Sequence, residues 1–488
     1  MTPRSHEAQD VQGLVESGFS RLTEACFLLL RVRDAAAARA WLGTAPVTTA
    51  ADLHRHVPTA MQVAFSAAGL RALGLPEPVL AGFSAEFLAG MAGEAQRSRR
   101  LCDVGANAPE TWAWGGQSTP DVLLALYAEP GGLAALRASA ATEAFAAGFT
   151  TIGDLSTSDM QGHEPFGFAD GISQPHFDFA GRRTPGTDAD LAYGNLLAAG
   201  ELLLGYPNEY GRITERPLLD PGFPGAALLP SAAEDARRRD LGRNGTYLVF
   251  RQLAQDVQGF WRFAAAHGNA VGQAEAMVGR CLSGEPLLPP TAAPIRGVGP
   301  DPDDIRLNRF TYAADPDGHR CPLGAHVRRA NPRTGDMPGG VQGPLAQAIR
   351  TIGFAGAGDP RDDVIASSRF HRILRRGREY GRTLPPDQAA ATDTAPMPET
   401  GLHFICLNAN IERQFEFIQN AWLANAKFDG LSGEADPLLG NREPFPAGQA
   451  TDGFGRLCGL PRFVTVKGGA YFFLPGVRAL RFIAGARG

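Results

Sequence analysis

The run "EPFGFADGISQPHF", residues 164–177, sets a single carboxylate, Asp170, among Phe166, Phe168, Ile172 and Phe177. Gly167 and Gly171 flank it and free the backbone to turn closely. An Asp in such a turn often does no more than accept from nearby amides. An ionised carboxylate in apolar surroundings is costly, however, unless a neighbouring group needs it, and an acid so placed is a candidate for moving protons. A second run, "CPLGAHVRRANPR" (321–333), holds one histidine, His326, ahead of Arg328, Arg329 and Arg333. A third, "FHRILRRGREYG" (370–381), puts Arg375 directly after Ile373 and Leu374, where an apolar element can carry it inward. Arg372, Arg376, Arg378 and Arg382 read as surface cations.

A neutral imidazole is a common metal ligand, and guanidinium pairs bidentately with carboxylate. His326 with its arginines therefore suits a cofactor carrying both a metal and carboxylates. Haem answers that description, with one imidazole on iron and arginines on the propionates. Among the remaining histidines, His54 and His56 stand two apart, but in a polar stretch with no third ligand in sight, and no H-E-x-x-H or facial-triad spacing offers a competing metal site. The six cysteines form no C-x-x-C pair, which argues against a zinc site or a disulfide framework and for buried thiols in a reducing compartment.

The chain of 488 residues is 44% hydrophobic and 20% charged, the composition of a globular protein. A formal net charge of -5 gives no electrostatic reason to expect nucleic acid. The polar start "MTPRSHEAQDVQGLVESGFS" lacks the apolar core of a secretory leader, and no apolar run is long enough to cross a bilayer. A cytoplasmic location is expected.

Positioning the three runs requires elements, and these recur. "ACFLLLRVRDAAAARAWL" (25–42) and "TYLVFRQLAQDVQGFWRFAA" (246–265) both read as a strand, an Asp and a helix. "MQVAFSAAGLRALGLP" (61–76) and "LHFICLNANIERQFEFIQNAW" (402–422) read as a second strand-into-helix pair. Duplication of a β-α-β unit is the economical interpretation, with a boundary just before Thr246. The long stretches between the units are functional loops or insertions, and "TLPPDQAAATDTAPMPET" (383–400) is the best candidate for a mobile one.

In this order "GFADG", "CPLGAHVRRANPR" and "HRILRRGREYG" resemble the dye-decolorising peroxidases, and the likeness extends through "LLGYPNEYG" and "VTVKGGAYFFLPG" to nearly the whole chain from about Gly18. The length points to the longer, fungal and large bacterial branch. The resemblance implies an α+β fold of two ferredoxin-like domains, their antiparallel sheets packed together as a dimeric α+β barrel. It divides the chain into a tail (1–17), an N-terminal domain with the GFADG loop (18–242) and a C-terminal haem-binding domain (243–488). One haem b per chain is implied, with His326 as iron ligand and Arg328, Arg333, Phe168 and Gly171 around the cofactor. Asp170 and Arg375 would stand on the distal face as the catalytic pair. Glu412 is the expected acidic partner of His326, with Asn410 at the position where some relatives carry Asp. Gly377 stands where compact relatives place an Asn, so no third distal polar group is expected there.

The activity implied is reduction of hydrogen peroxide at the expense of aromatic, dye-like or phenolic donors, through a surface Trp or Tyr; Tyr380 and Trp422 are the candidates by position, with core packing the stronger reading for Trp422. The stretch 334–358 reads as an insertion over an access channel. Neither nucleic acid nor membrane is expected as a partner, and a homo-oligomer is left open. The competing function is a non-catalytic haem-binding or haem-handling protein, which would have no use for Asp170 with Arg375.

Overall fold

The structure is a computed structural model that describes residues 5–179, 181, 194–334, 367–391, 393, 395–440, 450–452, 455–457 and 459–485. Its frame is one nine-stranded sheet. Four strands come from the first half: β1 (Glu24–Val32), β2 (Thr59–Phe65), β3 (Val122–Ala128) and β4 (Phe149–Ser156). Five come from the second: β5 (Thr246–Gln255), β6 (Leu374–Arg375), β7 (Arg378–Tyr380), β8 (Gly401–Asn408) and β9 (Val464–Leu474). The order across the sheet is β6-β8-β5-β9-β2-β3-β1-β4, with β7 also on β8, and every pairing is antiparallel.

Each half thus repeats the 4-1-3-2 order of a ferredoxin-like unit, read β4-β1-β3-β2 and β9-β5-β8-β6/β7. The halves join at Phe473 of β9 and Phe65 of β2. At the far ends the chain nearly closes the ring. Ser158 N donates to Glu379 O (2.8 Å), Ser158 Oγ to Gly381 O (2.7 Å), and His403 Nε2 lies 3.0 Å from Ser156 O.

Alternation along the strands sorts side chains to two faces. Phe27, Leu29, Tyr127, Phe250, Ile405 and Phe472 fill the inner face. Leu28, Leu30, Val249, Leu253, Cys406 and Tyr471 face the helices. The recurrent strand-Asp-helix pattern has a shared physical cause. Asp34 accepts from Ala37 N to cap α1 (Ala35–Thr44), and Asp256 accepts from Gly259 N to cap α2 (Val257–Ala266).

The second recurrence is displaced. Residues 402–422 supply the third strand of their half and the helix after it, whose counterpart is β3 with the helices Leu133–Ala140 and Glu143–Gly148, not β2 with residues 67–76. Residues 7–17 are no loose tail: Val11, Leu14 and Val15 are buried, and the Gln12 amide donates to Val63 O and Pro475 O, both at 2.9 Å. The 383–400 stretch contains a helix, Pro386–Ala390, with Ala389 fully buried. Among the described residues no helix is long and apolar enough to cross a membrane.

Candidate active site

A cavity of about 280 Å³ lies between the helix-side face of β5, β8 and β9 and the loops that cross it. Its floor is apolar, built from Leu253, Leu402, Phe404, Val464 and Val466. His326, Asp170, Arg375, Phe168 and Arg333 all line it, although they arrive from separated parts of the chain.

His326 opens a short helix, His326–Ala330, after a turn in which Ala325 N donates to Pro322 O (3.0 Å). The turn packs so closely on Gly279 (φ +91°) that a Cβ there would meet Ala325 Cβ at 3.1 Å. His326 Nδ1 lies 2.9 Å from Asp436 Oδ2. Asp436 is fully buried, and its other oxygen accepts from Leu438 N (2.9 Å) and Leu439 N (2.7 Å).

An ionised carboxylate only accepts, so the imidazole proton belongs on Nδ1 and the Nε2 lone pair is left for a metal. Burial works against a charged imidazole, yet the Asp436 charge and hydrogen bond outweigh it and raise His326 above its ordinary pKa. The acidic partner is therefore Asp436 and not Glu412. Glu412 has 63% of its side chain exposed and lies 3.6 Å from Arg100. Asn410 instead caps the next helix, accepting from Arg413 N (2.8 Å).

Arg329 ties the two parts together: it donates to Gly324 O, Trp422 O, Asn425 O and Glu434 O at 2.7–3.1 Å, clamping the loop that carries Asp436 onto the His326 turn. Arg328 does not reach the cavity. It is buried against Tyr312 and donates to Asp315 O (3.0 Å) and Cys321 O (2.9 Å), stapling the loop before His326. Arg333 does reach the wall, lying over the Phe310 ring and donating to Phe310 O (2.8 Å), and Arg280 and Arg372 bring two further guanidiniums there.

The GFADG loop lies across the cavity mouth of β5. Trp261 Nε1 donates to Phe166 O (3.0 Å), and Phe166 stacks on Phe260 with centroids 4.4 Å apart. Phe168 is buried at the wall, whereas Phe177 packs elsewhere, on Phe179. Gly171 adopts φ +77° and does not line the cavity; its contribution is the turn and an amide bonded to Asp170.

Arg375 Nη1 donates to Asp170 Oδ1 at 2.7 Å, and Gln174 Oε1 holds the Arg375 backbone amide (3.0 Å). The accessible third of each side chain belongs to the cavity wall. Burial alone would raise the Asp170 carboxyl, but the Arg375 charge, the Gly171 amide and the Arg375 hydrogen bond prevail and hold it below the ordinary carboxylate range. At Gly377 a Cβ would stand 2.5 Å from His403 O, so the close approach of β8 admits no side chain there.

Tyr380 and Trp422 are both buried, Tyr380 stacked on His403 (4.5 Å) and Trp422 packed against His371 and Phe417. The stretch 334–358 lies, from 335 onward, outside the described residues.

The donor set fits a haem. A single imidazole with a free Nε2 lone pair, an apolar floor suited to a flat macrocycle and three guanidiniums suited to two carboxylates converge on one cavity. Comparison with known proteins points the same way. No protein-family model matches the chain. The dye-decolorizing peroxidase msp1 of Mycetinis scorodonius is 28% identical across 97% of this chain and 87% of its own length. The multifunctional dye peroxidase DyP2 of Amycolatopsis is 29% identical across 86% and 81%. Among solved structures, that of the decolorizing peroxidase of Auricularia auricula-judae superposes with a TM-score of 0.72 at 25% identity, covering 98% of this chain and 99% of that one. In sequence over nearly its whole length, and in fold, the chain is a relative of the dye-decolorising peroxidases.

Proposed function

We propose that the chain is a haem peroxidase that reduces hydrogen peroxide and takes single electrons from aromatic, dye-like or phenolic donors, using one haem b per chain. The observation that carries this reading is the Asp170–Arg375 pair on the same cavity as the His326–Asp436 pair. Bound haem iron would supply the electron-transfer chemistry. The chain's own residues do the rest.

His326 would hold the iron through Nε2, kept in that tautomer by Asp436, which also makes the imidazole more electron-donating. Arg333 and Arg372 would pair with the carboxylates of the group, and Phe168 would pack against it. Asp170, ionised because of Arg375, can take a proton from one peroxide oxygen and return it to the other. Arg375, always charged, stabilises the negative charge that develops as the O–O bond breaks. The apolar floor keeps bulk water away, which strengthens both interactions.

Binding alone would require only the His326 side of this arrangement, so the non-catalytic alternative leaves Asp170, Arg375 and the Gln174 bond unexplained. A cytoplasmic location belongs to the same proposal, supported by the thiols of Cys26, Cys281, Cys321 and Cys406, which form no disulfide among the described residues. The test is a spectrum of the purified protein, followed by peroxide. A Soret band that shifts within milliseconds in the parent and slowly or not at all in Asp170→Asn is expected; an equally fast shift in both would make the protein a haem binder whose Asp170 only braces a loop.

A further inference from the structure

Reduction of peroxide to two waters consumes two electrons and two protons: H2O2 + 2 e− + 2 H+ → 2 H2O. Electrons tunnel through packed protein, but protons need titratable groups linked to solvent. Asp170 can shuttle a proton between the two peroxide oxygens without adding one, so the cavity needs a supply from outside.

A second carboxylate lines the same cavity. Glu164 Oε2 accepts from Gln255 Nε2 (2.8 Å), and Oε1 from Phe168 N (3.0 Å). Gln255, at the end of β5, is only 8% exposed, and its Oε1 has no hydrogen-bond partner among the described residues. It also lines a second cavity of about 270 Å³ on its other side. That outer cavity is lined by Glu399, which is exposed, and Lys467, which is half-buried, their charged ends 3.0 Å apart. One amide side chain therefore separates the inner carboxylate from a pocket that solvent can reach.

We propose that Glu164 is the proton relay of the inner cavity, exchanging its proton with solvent through the wall formed by Gln255. This rests on the peroxidase reading for its purpose but not for its geometry. Burial pushes the Glu164 carboxyl up to about 7 against the opposing Gln255 and amide bonds, so both its forms are populated near neutrality. Among the charged groups at the site, Asp170 raises Glu164 further, Arg375 acts on Asp170, and His326 itself feels Glu164, while Asp103, Arg251, Arg280, Arg333 and Arg372 also line the cavity wall. Glu379 on β7 feels the Asp170 charge. Asp256, Glu399 and Lys467 line the outer pocket. With each of the two electrons of a turnover the relay gives up one proton to the inner cavity and regains one from the outer pocket, two protons in all. Charge and protons then balance.

Glu164→Gln keeps the loop intact, because rotation of the Gln255 amide by half a turn restores a donor–acceptor pair. Two arms test the relay in the full chain. In the resting protein, an infrared pH jump from 5 to 9 should show a carboxylic C=O band with a midpoint near 7, absent in Glu164→Gln and relaxing at least tenfold more slowly in Gln255→Leu. In the haem-loaded protein reduced by ferrocyanide, which carries no proton, the dye pyranine should report proton uptake slowed at least tenfold in both variants. Relaxation and uptake as fast in the variants as in the parent would overturn the relay. Absence of any peroxide reaction in the parent would overturn the peroxidase reading instead, and the infrared arm alone would then decide the relay.

Discussion

Asp170 and Arg375 define each other's chemistry, and the pair has a pH signature with a definite sign. Because Arg375 holds the Asp170 carboxyl below its ordinary value, the proton-accepting form survives into acid and is lost only as pH falls below about 3.8. The first peroxide step should therefore persist to pH 4. In Arg375→Leu the counter-charge is gone and burial dominates, so the Asp170 pKa rises and the acid limb moves to higher pH. The plateau rate should also fall about 10² to 10³-fold, the usual loss for one preorganised donor. Stopped-flow spectra from pH 3 to 8 measure both effects, and an unmoved acid limb would detach Asp170 from that step. Asp436→Asn should keep the fold but lower activity or haem affinity about 10- to 100-fold, with an upward shift of the ferric/ferrous potential, because the imidazole loses a charged acceptor. Of these residues, Asp170 stands out in the sequence as a lone acid among phenylalanines, His326 as a lone histidine ahead of arginines, and Arg375 as a cation directly after Ile373 and Leu374. Asp436 does not. It sits 110 positions from His326 in an ordinary polar loop, and only tertiary contact identifies it. Glu412, the acid that the resemblance implies, lies on the helix after β8 with 63% of its side chain exposed.

At the scale of elements, the local grammar is legible and the pairing is not. A strand, an Asp cap and a helix can be read from hydrophobic period and capping chemistry, which is why β1 with α1 and β5 with α2 emerge as equivalents. Which strand lies beside which depends on contacts between distant residues, and so the local pattern pairs residues 61–76 with 402–422 although the counterpart of the latter begins at Val122. Arg328 and Arg329 illustrate the same limit one level down. Both are adjacent cations in the sequence, yet each is consumed by backbone carbonyls, Arg328 on the loop before His326 and Arg329 on the loop carrying Asp436. Arg329→Met should consequently strand several buried carbonyls and destabilise the protein by about 3 kcal/mol. Because it also releases Asp436, haem should dissociate faster, measurable by transfer to apomyoglobin. A variant that melts lower but releases haem at the parent rate would limit Arg329 to the stability of the loop.

The whole molecule makes the cavity a joint property of its two halves. The GFADG loop belongs to the first half, but its Phe166 is held by Trp261 and its Glu164 by Gln255, both of the second. Opposite ends of the chain are tied as well: Asp10 accepts from Asn244 Nδ2 (2.8 Å) and from Arg478 N (2.7 Å) and Nε (2.9 Å). With β9 paired to β2, no half can unfold without exposing core and breaking the site of the other. The chain should therefore melt in one transition. A ligand that binds only the folded state adds RT ln(1 + [L]/Kd), about 2.7 kcal/mol when haem is at 100 times its dissociation constant. Loading haem should raise that single transition by a few degrees, and His326→Ala, which removes the iron ligand while leaving Arg333 and Phe168 in place, should lose most of the gain. Calorimetry of the apo and loaded forms of both proteins tests this. Two transitions, only one of them moved by haem, would mean that the halves fold separately and that the second holds the cofactor unaided, in which case the Asp170 loop would be an adjustable cover and not a fixed wall of the cavity.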